Sequence, residues 1–174
     1  HAEGIEQVWA RHSILARAVW AACDAWGEGG DLRLNIADPA QRSTAVTALR
    51  LNGPDGTRLR NWVEQELGLT LGIGLGMAEP DDPARDAYFR LGHMGHVNEP
   101  MILATLGTVE LALSRMDAPF EKGGVGAAIA AIYTGMMGEF YHLHFKNGGT
   151  LDNIKIEDYV DYLVQEIKRG DISM

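Results

Sequence analysis

Residues 101–114 carry a single charge, Glu110, and follow directly on Asn98-Glu99-Pro100. Asparagine caps a helix by accepting from backbone N–H groups two or three residues further on. A proline in the first turn loses nothing, because its N–H would be unpaired there anyway. The spacing predicts a helix from Glu99 to about Met116. So apolar a helix expects cover on most of its sides, and a chain that supplies such cover must build at least two packed layers. Whole-chain disorder is excluded, and no apolar run approaches the roughly 20 residues of a membrane span.

The remaining segments supply the layers. Ile5, Val8, His12, Leu15, Val19, Ala22 and Trp26 step by three and four, the pattern of an amphipathic helix, and Gly27, Gly29 and Gly30 end it. Residues 31–35 and 46–52 read as strands, the second closed by the turn Pro54-Asp55-Gly56. A helix is expected over 57–67, then an apolar strand over 69–77 broken by Gly72, Gly74 and Gly76. An acidic, proline-rich turn over 79–86 leads to a strand over 88–91, and a last helix begins near Gly124. The fold class is α+β, an α/β layer in which helices cover a small antiparallel or mixed sheet. The 174 residues suit one ordinary domain.

Charge and cysteine usage narrow the partners. With 15 Lys and Arg against 24 Asp and Glu, the net charge of −9 argues against a nucleic-acid footprint, which needs a basic face. The lone cysteine, Cys23, rules out an internal disulfide or cysteine-cluster metal site. It fits a reducing, cytoplasmic compartment, and on the buried stripe of the first helix it reads as an inert core thiol. No signal peptide precedes the helical pattern, already running by Ile5, so the chain reads as the interior of a longer protein.

Composition changes near residue 135. Before it Lys122 is the only lysine beside ten of the eleven arginines; after it alanine vanishes and lysine, tyrosine and asparagine become common. Residues 1–135 and 136–174 are therefore expected to differ in origin, the second being a tag, an acquired extension or a fusion. Within it Tyr141, Leu143 and Phe145 alternate with His142 and His144 ahead of Asn147-Gly148-Gly149, as in a short hairpin. Ile156, Tyr159, Val160, Leu163, Val164 and Ile167 form a helical stripe that needs a partner surface.

Several motifs invite chemistry. Gly72-Ile73-Gly74-Leu75-Gly76 resembles a phosphate cradle, but the dinucleotide fingerprint wants another glycine at Met77 and then a helix, where Ala-Glu-Pro-Asp-Asp-Pro stands. A strand with close backbone neighbours fits better. His93 and His96 could share a metal, and so could His142 and His144 on one strand face. No carboxylate or cysteine at a matching spacing supports the first pair, and a solvated face explains the second. Arg90 stands in an otherwise apolar strand, Tyr88-Phe89-Arg90-Leu91. It either pairs with a buried carboxylate or awaits an anionic ligand, since guanidinium grips a carboxylate through two parallel hydrogen bonds. Chemistry alone leaves those alternatives even.

The string YFRLGHMGHVNEPMILATLGTVELAL, residues 88–113, resembles the C-terminal small domain of class V pyridoxal-phosphate aminotransferases of the alanine-glyoxylate and serine-glyoxylate type. The opening IEQVWARHSILARAV is similar to the long helix leading into that domain, and GLTLGIGLG to its central strand. The resemblance covers about residues 1–135. It implies the small C-terminal lobe of a fold-type I enzyme, with Arg90 holding the substrate α-carboxylate and Gly92, His93 and Gly95 shaping the pocket. It also implies a pyridoxal 5'-phosphate-dependent, cytoplasmic, homodimeric parent that moves an amino group from a small amino acid such as alanine or serine to an α-keto acid such as glyoxylate. The cofactor lysine belongs to the family's large domain, and none of Lys122, Lys146, Lys155 and Lys168 matches it. This chain alone is therefore expected neither to bind the cofactor nor to transaminate. The alternative is a non-catalytic binding or assembly module derived from the same domain.

Overall fold

The computed structural model describes residues 4–150, 155 and 161–162. Helix α1 (Ile5–Glu28) leads into strand β1 (Arg33–Leu34) and, after a 3-10 turn at Pro39–Gln41, strand β2 (Val46–Arg50). Helix α2 (Asp55–Leu67), strand β3 (Gly72–Ile73), a second 3-10 turn at Pro83–Ala87 and strand β4 (Tyr88–Gly92) follow. Helices α3 (Glu99–Arg115) and α4 (Gly124–Lys146) close the described fold. The four strands form one sheet in the order β1-β2-β4-β3, every neighbouring pair antiparallel. The fold is α+β, and the sheet is antiparallel rather than mixed.

Burial alternates along the two central strands. Thr47, Leu49, Phe89 and Leu91 face the helices and are buried, while Ala48, Tyr88 and Arg90 face outward and are half-buried. The core joins this inner face to Leu15, Val19, Cys23 and Trp26 of α1, Leu59 and Val63 of α2, and Ile102, Leu106 and Leu113 of α3. The stripe of α1 is buried only from Ile14 onward. Its first turns leave Ile5 and Trp9 61% and 64% exposed, because no described element packs over them.

Asn98 caps α3, its side chain accepting from the Met101 N–H. Cover on most sides is not what the helix receives. Ile102, Leu106, Val109, Ala112 and Leu113 are buried, whereas Met101 and Leu111 stand 53% and 46% exposed. A sheet backed by one layer of helices has neighbours for one face of α3 only. The single charge ties elements together, since Glu110 Oε2 accepts from the fully buried Trp26 indole at 2.8 Å and from the Val125 N–H at 3.3 Å. One carboxylate oxygen thus joins α1, α3 and the first turn of α4, where the helix dipole favours negative charge.

Three sequence expectations are corrected. The chain turns after β2 slightly earlier than expected, over 52–55, where the Asp55 N–H donates to the Asn52 carbonyl at 3.1 Å and Gly53 adopts φ +49°. Pro54-Asp55-Gly56 ends that turn and opens α2, with Pro54 at the N-cap and Gly56 packed on the Ala87 backbone. The strand expected over 69–77 shrinks to Gly72–Ile73, because the backbone turns back on itself, Leu75 N–H donating to the Ile73 carbonyl and Gly76 adopting φ +71°. The hairpin expected over 141–149 is absent, and residues 141–146 are the last turns of α4. Asn147 is the C-cap, and Gly148, at φ +83°, and Gly149, donating to the His144 carbonyl, wrap the helix end. Gly and Asn serve helix ends and hairpin turns alike. Helix α4 also runs unbroken through the compositional change at 135/136. The stripe from Ile156 to Ile167 lies outside the described residues, apart from positions 161 and 162.

Candidate functional site

Arg90 occupies the middle of β4, in register with Ala48 of β2 on one side and Gly72 of β3 on the other. Opposed residues of an antiparallel pair share a face, so the arginine lies outward between the two smallest side chains available. Its Nε donates to the Ile73 carbonyl at 2.6 Å. Among the described residues no carboxylate pairs with it. Of the two readings left open by chemistry, a buried ion pair is therefore not what the described residues provide. The guanidinium is anchored by a backbone bond, and no carboxylate of the described residues pairs with its two terminal nitrogens.

Gly72 and Gly74 explain the anchoring. A Cβ on Gly72 would lie 3.1 Å from Arg90 Cβ and 3.3 Å from its Nε, and one on Gly74 would run into Tyr88. The glycine run is thus a bare track beside Arg90 and Tyr88, not a phosphate cradle. It is followed by a turn and a 3-10 helix rather than an α-helix. One row along the same face, Arg50 of β2 is opposed to Tyr88, its guanidinium 5.8 Å from the ring centroid.

The loop after β4 is held from two sides. His93 continues the inward alternation of Phe89 and Leu91 and is fully buried. Its Nε2 lies 2.9 Å from Thr47 Oγ1, which itself accepts from Trp20 Nε1, and its Nδ1 lies 3.1 Å from the Thr44 carbonyl. Only a donor satisfies a carbonyl, so Nδ1 carries the proton and the Thr47 hydroxyl donates to Nε2. Burial lowers the imidazole pKa from its ordinary 6.5, opposed by the bond to Thr44 and assisted by the charge of His12. Both ring nitrogens are committed, which removes His93 and His96 as a metal pair. Two residues on, Gly95 adopts φ +78°, and its carbonyl meets Arg11 Nη1 at 2.9 Å and His12 Nε2 at 3.2 Å. Arg11 Nη1 also donates to the Val97 carbonyl at 2.8 Å.

Of the residues singled out from sequence, Arg90 and Gly92 lie on the outer face and His93 beneath it, while Gly95 forms the tie to α1. Gly72, Thr47, Trp20, Arg11 and His12 were not singled out for this site. Only the strand register and the α1 packing reveal them. Cys23 is a core thiol, its pKa pushed up mainly by burial. His142 and His144 sit on a helix, where a two-residue step turns the side chains to different faces. No group of three or more metal-ligating side chains occurs among the described residues, and no described helix is long and apolar enough to cross a membrane.

Comparison with known proteins gives this site its context. No family model matches the chain. Over 129 residues it is 34% identical to the L-aspartate–glyoxylate aminotransferase of Paracoccus denitrificans, covering 73% of this chain and 30% of that protein. The serine–glyoxylate aminotransferase of Hyphomicrobium methylovorum is also 34% identical over 129 residues, with 73% and 29% covered. The crystal structure of pyridoxamine-pyruvate aminotransferase from Mesorhizobium loti superimposes with a TM-score of 0.64 at 30% identity, over 75% of this chain and 32% of that one. The chain is homologous to the class V pyridoxal-phosphate aminotransferases. It spans about 30% of the length of the curated relatives it matches.

Among the described residues, the lysines that such a cofactor would draw on lie away from the sheet that presents Arg90. Pyridoxal-phosphate chemistry needs a lysine amine for a Schiff base and a partner for the pyridine nitrogen. Lys122 lies between α3 and α4, Lys146 ends α4 and Lys155 lies beyond it, so none of them belongs to the sheet that presents Arg90.

Proposed function

We propose that this chain is the small lobe of a class V aminotransferase and that Arg90 holds the α-carboxylate of the amino-acid substrate and then of the keto acid. One observation carries the reading. Arg90 stands outward on a central strand between Ala48 and Gly72, tethered through Nε, with no carboxylate of the described residues on its fork. A guanidinium so placed binds a carboxylate through two parallel hydrogen bonds and fixes its orientation as well as its position. Orientation is what the reaction requires, because it aims the Cα–H bond toward whatever group removes the proton. Gly92, His93 and Gly95 shape the adjoining loop, His93 and Gly95 through their ties to β2 and α1.

The relatives' names support transfer of an amino group from a small amino acid to a keto acid such as glyoxylate. The family resemblance supports a homodimeric, cytoplasmic parent whose large domain supplies the cofactor lysine. In this reading the lobe does not transaminate by itself, and residues 136–174 are an extension outside the family. A non-catalytic assembly module draws on the exposed Met101, Leu111, Ile129 and Tyr133, but it gives Arg90 nothing to bind. In the full-length protein, Arg90→Lys replaces a fork by a point charge and raises KM for the amino donor by about 10- to 100-fold. An unchanged KM overturns the assignment.

A further inference from the structure

Guanidinium can offer a carboxylate either its end, through Nη1 and Nη2, or its side, through Nε and one Nη. Which edge is free depends on what already occupies Nε. Here Nε donates to the Ile73 carbonyl at 2.6 Å. That bond exists because the Arg90 side chain lies against β3, and it can do so because position 72 has no side chain. Directly opposed Cβ atoms in antiparallel strands stand about 4.5–5.5 Å apart, whereas a Cβ on Gly72 would come 3.1 Å from Arg90 Cβ and 3.3 Å from Arg90 Nε.

We propose that Gly72 is a positioning residue for Arg90: its bare backbone lets Nε dock on the Ile73 carbonyl, so that the arginine presents only its Nη1/Nη2 end to a substrate carboxylate. Ala48 completes the trough on the β2 side. The fork is thereby fixed by the sheet backbone without any acidic side chain of the described residues, which would compete with the substrate for the same charge. In this proposal a methyl group at position 72, tighter than ordinary contact against Arg90 Cβ and Nε, pushes the side chain by a few tenths of an ångström, weakens the bond to Ile73 and lets the arginine rotate. The carboxylate is then held in more than one orientation or not at all.

This inference rests on the reading of Arg90 as the carboxylate-holding group, and kinetics of the full-length holoenzyme separate the two. Gly72→Ala is expected to raise KM for the amino-acid donor by about tenfold, the loss of one charge-assisted hydrogen bond. Turnover of an amine substrate that lacks a carboxylate should stay at the wild-type rate, which a merely structural defect would not allow. A wild-type KM in Gly72→Ala beside a raised KM in Arg90→Lys overturns the positioning role and leaves the Arg90 reading standing. An unchanged KM in Arg90→Lys overturns both. Should Gly72→Ala not fold, the wild-type protein still decides. The Arg90 Nε–H resonance, assigned by its loss in Arg90→Lys, is expected to exchange slowly with and without glyoxylate, while the Nη protons become protected only when glyoxylate is added. An Nε–H that exchanges rapidly in the free protein, or gains protection only with glyoxylate, shows the side-on mode and contradicts the proposal.

Discussion

His93 shows how much one buried side chain can fix. Its two nitrogens join the end of β4 to Thr44 and to Thr47 of β2, and Trp20 of α1 completes the chain of bonds. The folded state holds the imidazole neutral, with a pKa below its ordinary 6.5 because it is buried. As pH falls, the unfolded chain takes up the proton first. The stabilisation is thus complete above about 6.5 and is lost as pH drops below that value toward the folded-state pKa. Urea unfolding at about pH 8 and about pH 5 should show lower stability at the acid end, and His93→Gln should flatten that slope. Thr47→Val leaves Trp20 Nε1 and His93 Nε2 without partners and is expected to lower stability by about 1–3 kcal/mol, read from the same curves. From sequence alone His93 and His96 could be weighed as a metal pair. No spacing rule reveals that Thr47, 46 residues earlier, is the partner of His93.

Among the elements, α3 and its cap were the most legible, because a polar cap followed by a nearly uncharged run has few other solutions. Helix α4 was the least legible beyond its start. Apolar residues lie all round it, with Tyr141, Leu143 and Phe145 38–45% exposed, so a helical period hardly stands out and local alternation mimics a strand. Its C-terminal turns nevertheless bury Phe140 to 6% exposure. Ending the chain at residue 135 would cut α4 in mid-course and lose that contact, at a cost of about 1.5–3 kcal/mol. Ending it at residue 150 would keep α4 whole but remove Tyr162, whose ring centroid lies 5.7 Å from that of Phe140. Thermal unfolding of the two truncated forms should place the shorter one clearly lower, and equal midpoints would show that the turns after 135 contribute nothing. At the start of the same helix, Glu110 joins three elements. Glu110→Ala strands the Trp26 indole N–H in the core and is expected to destabilise by about 1–3 kcal/mol, whereas an equivalent change at the exposed Glu121 should lie within about 0.5 kcal/mol.

Across the whole molecule, one face of the sheet is committed to the core and the other presents Arg90 beside a glycine track. The class of fold was readable from the family resemblance, and the place of Arg90 in an apolar strand from the residues beside it. The tether at Ile73, the absence of a carboxylate among the described residues on the fork, and the bare neighbour at Gly72 were not, because they depend on which strands lie side by side. The order β1-β2-β4-β3 brings residue 72 next to residue 90, and the pattern of either strand alone contains no trace of that pairing. The measurement that tests this arrangement most directly is a crystal structure of the full-length protein with glyoxylate bound. Both carboxylate oxygens are predicted to lie about 2.7–2.9 Å from Arg90 Nη1 and Nη2, with Nε still on the Ile73 carbonyl. A carboxylate seated elsewhere, with the Arg90 fork in water or on a protein carboxylate, would contradict it.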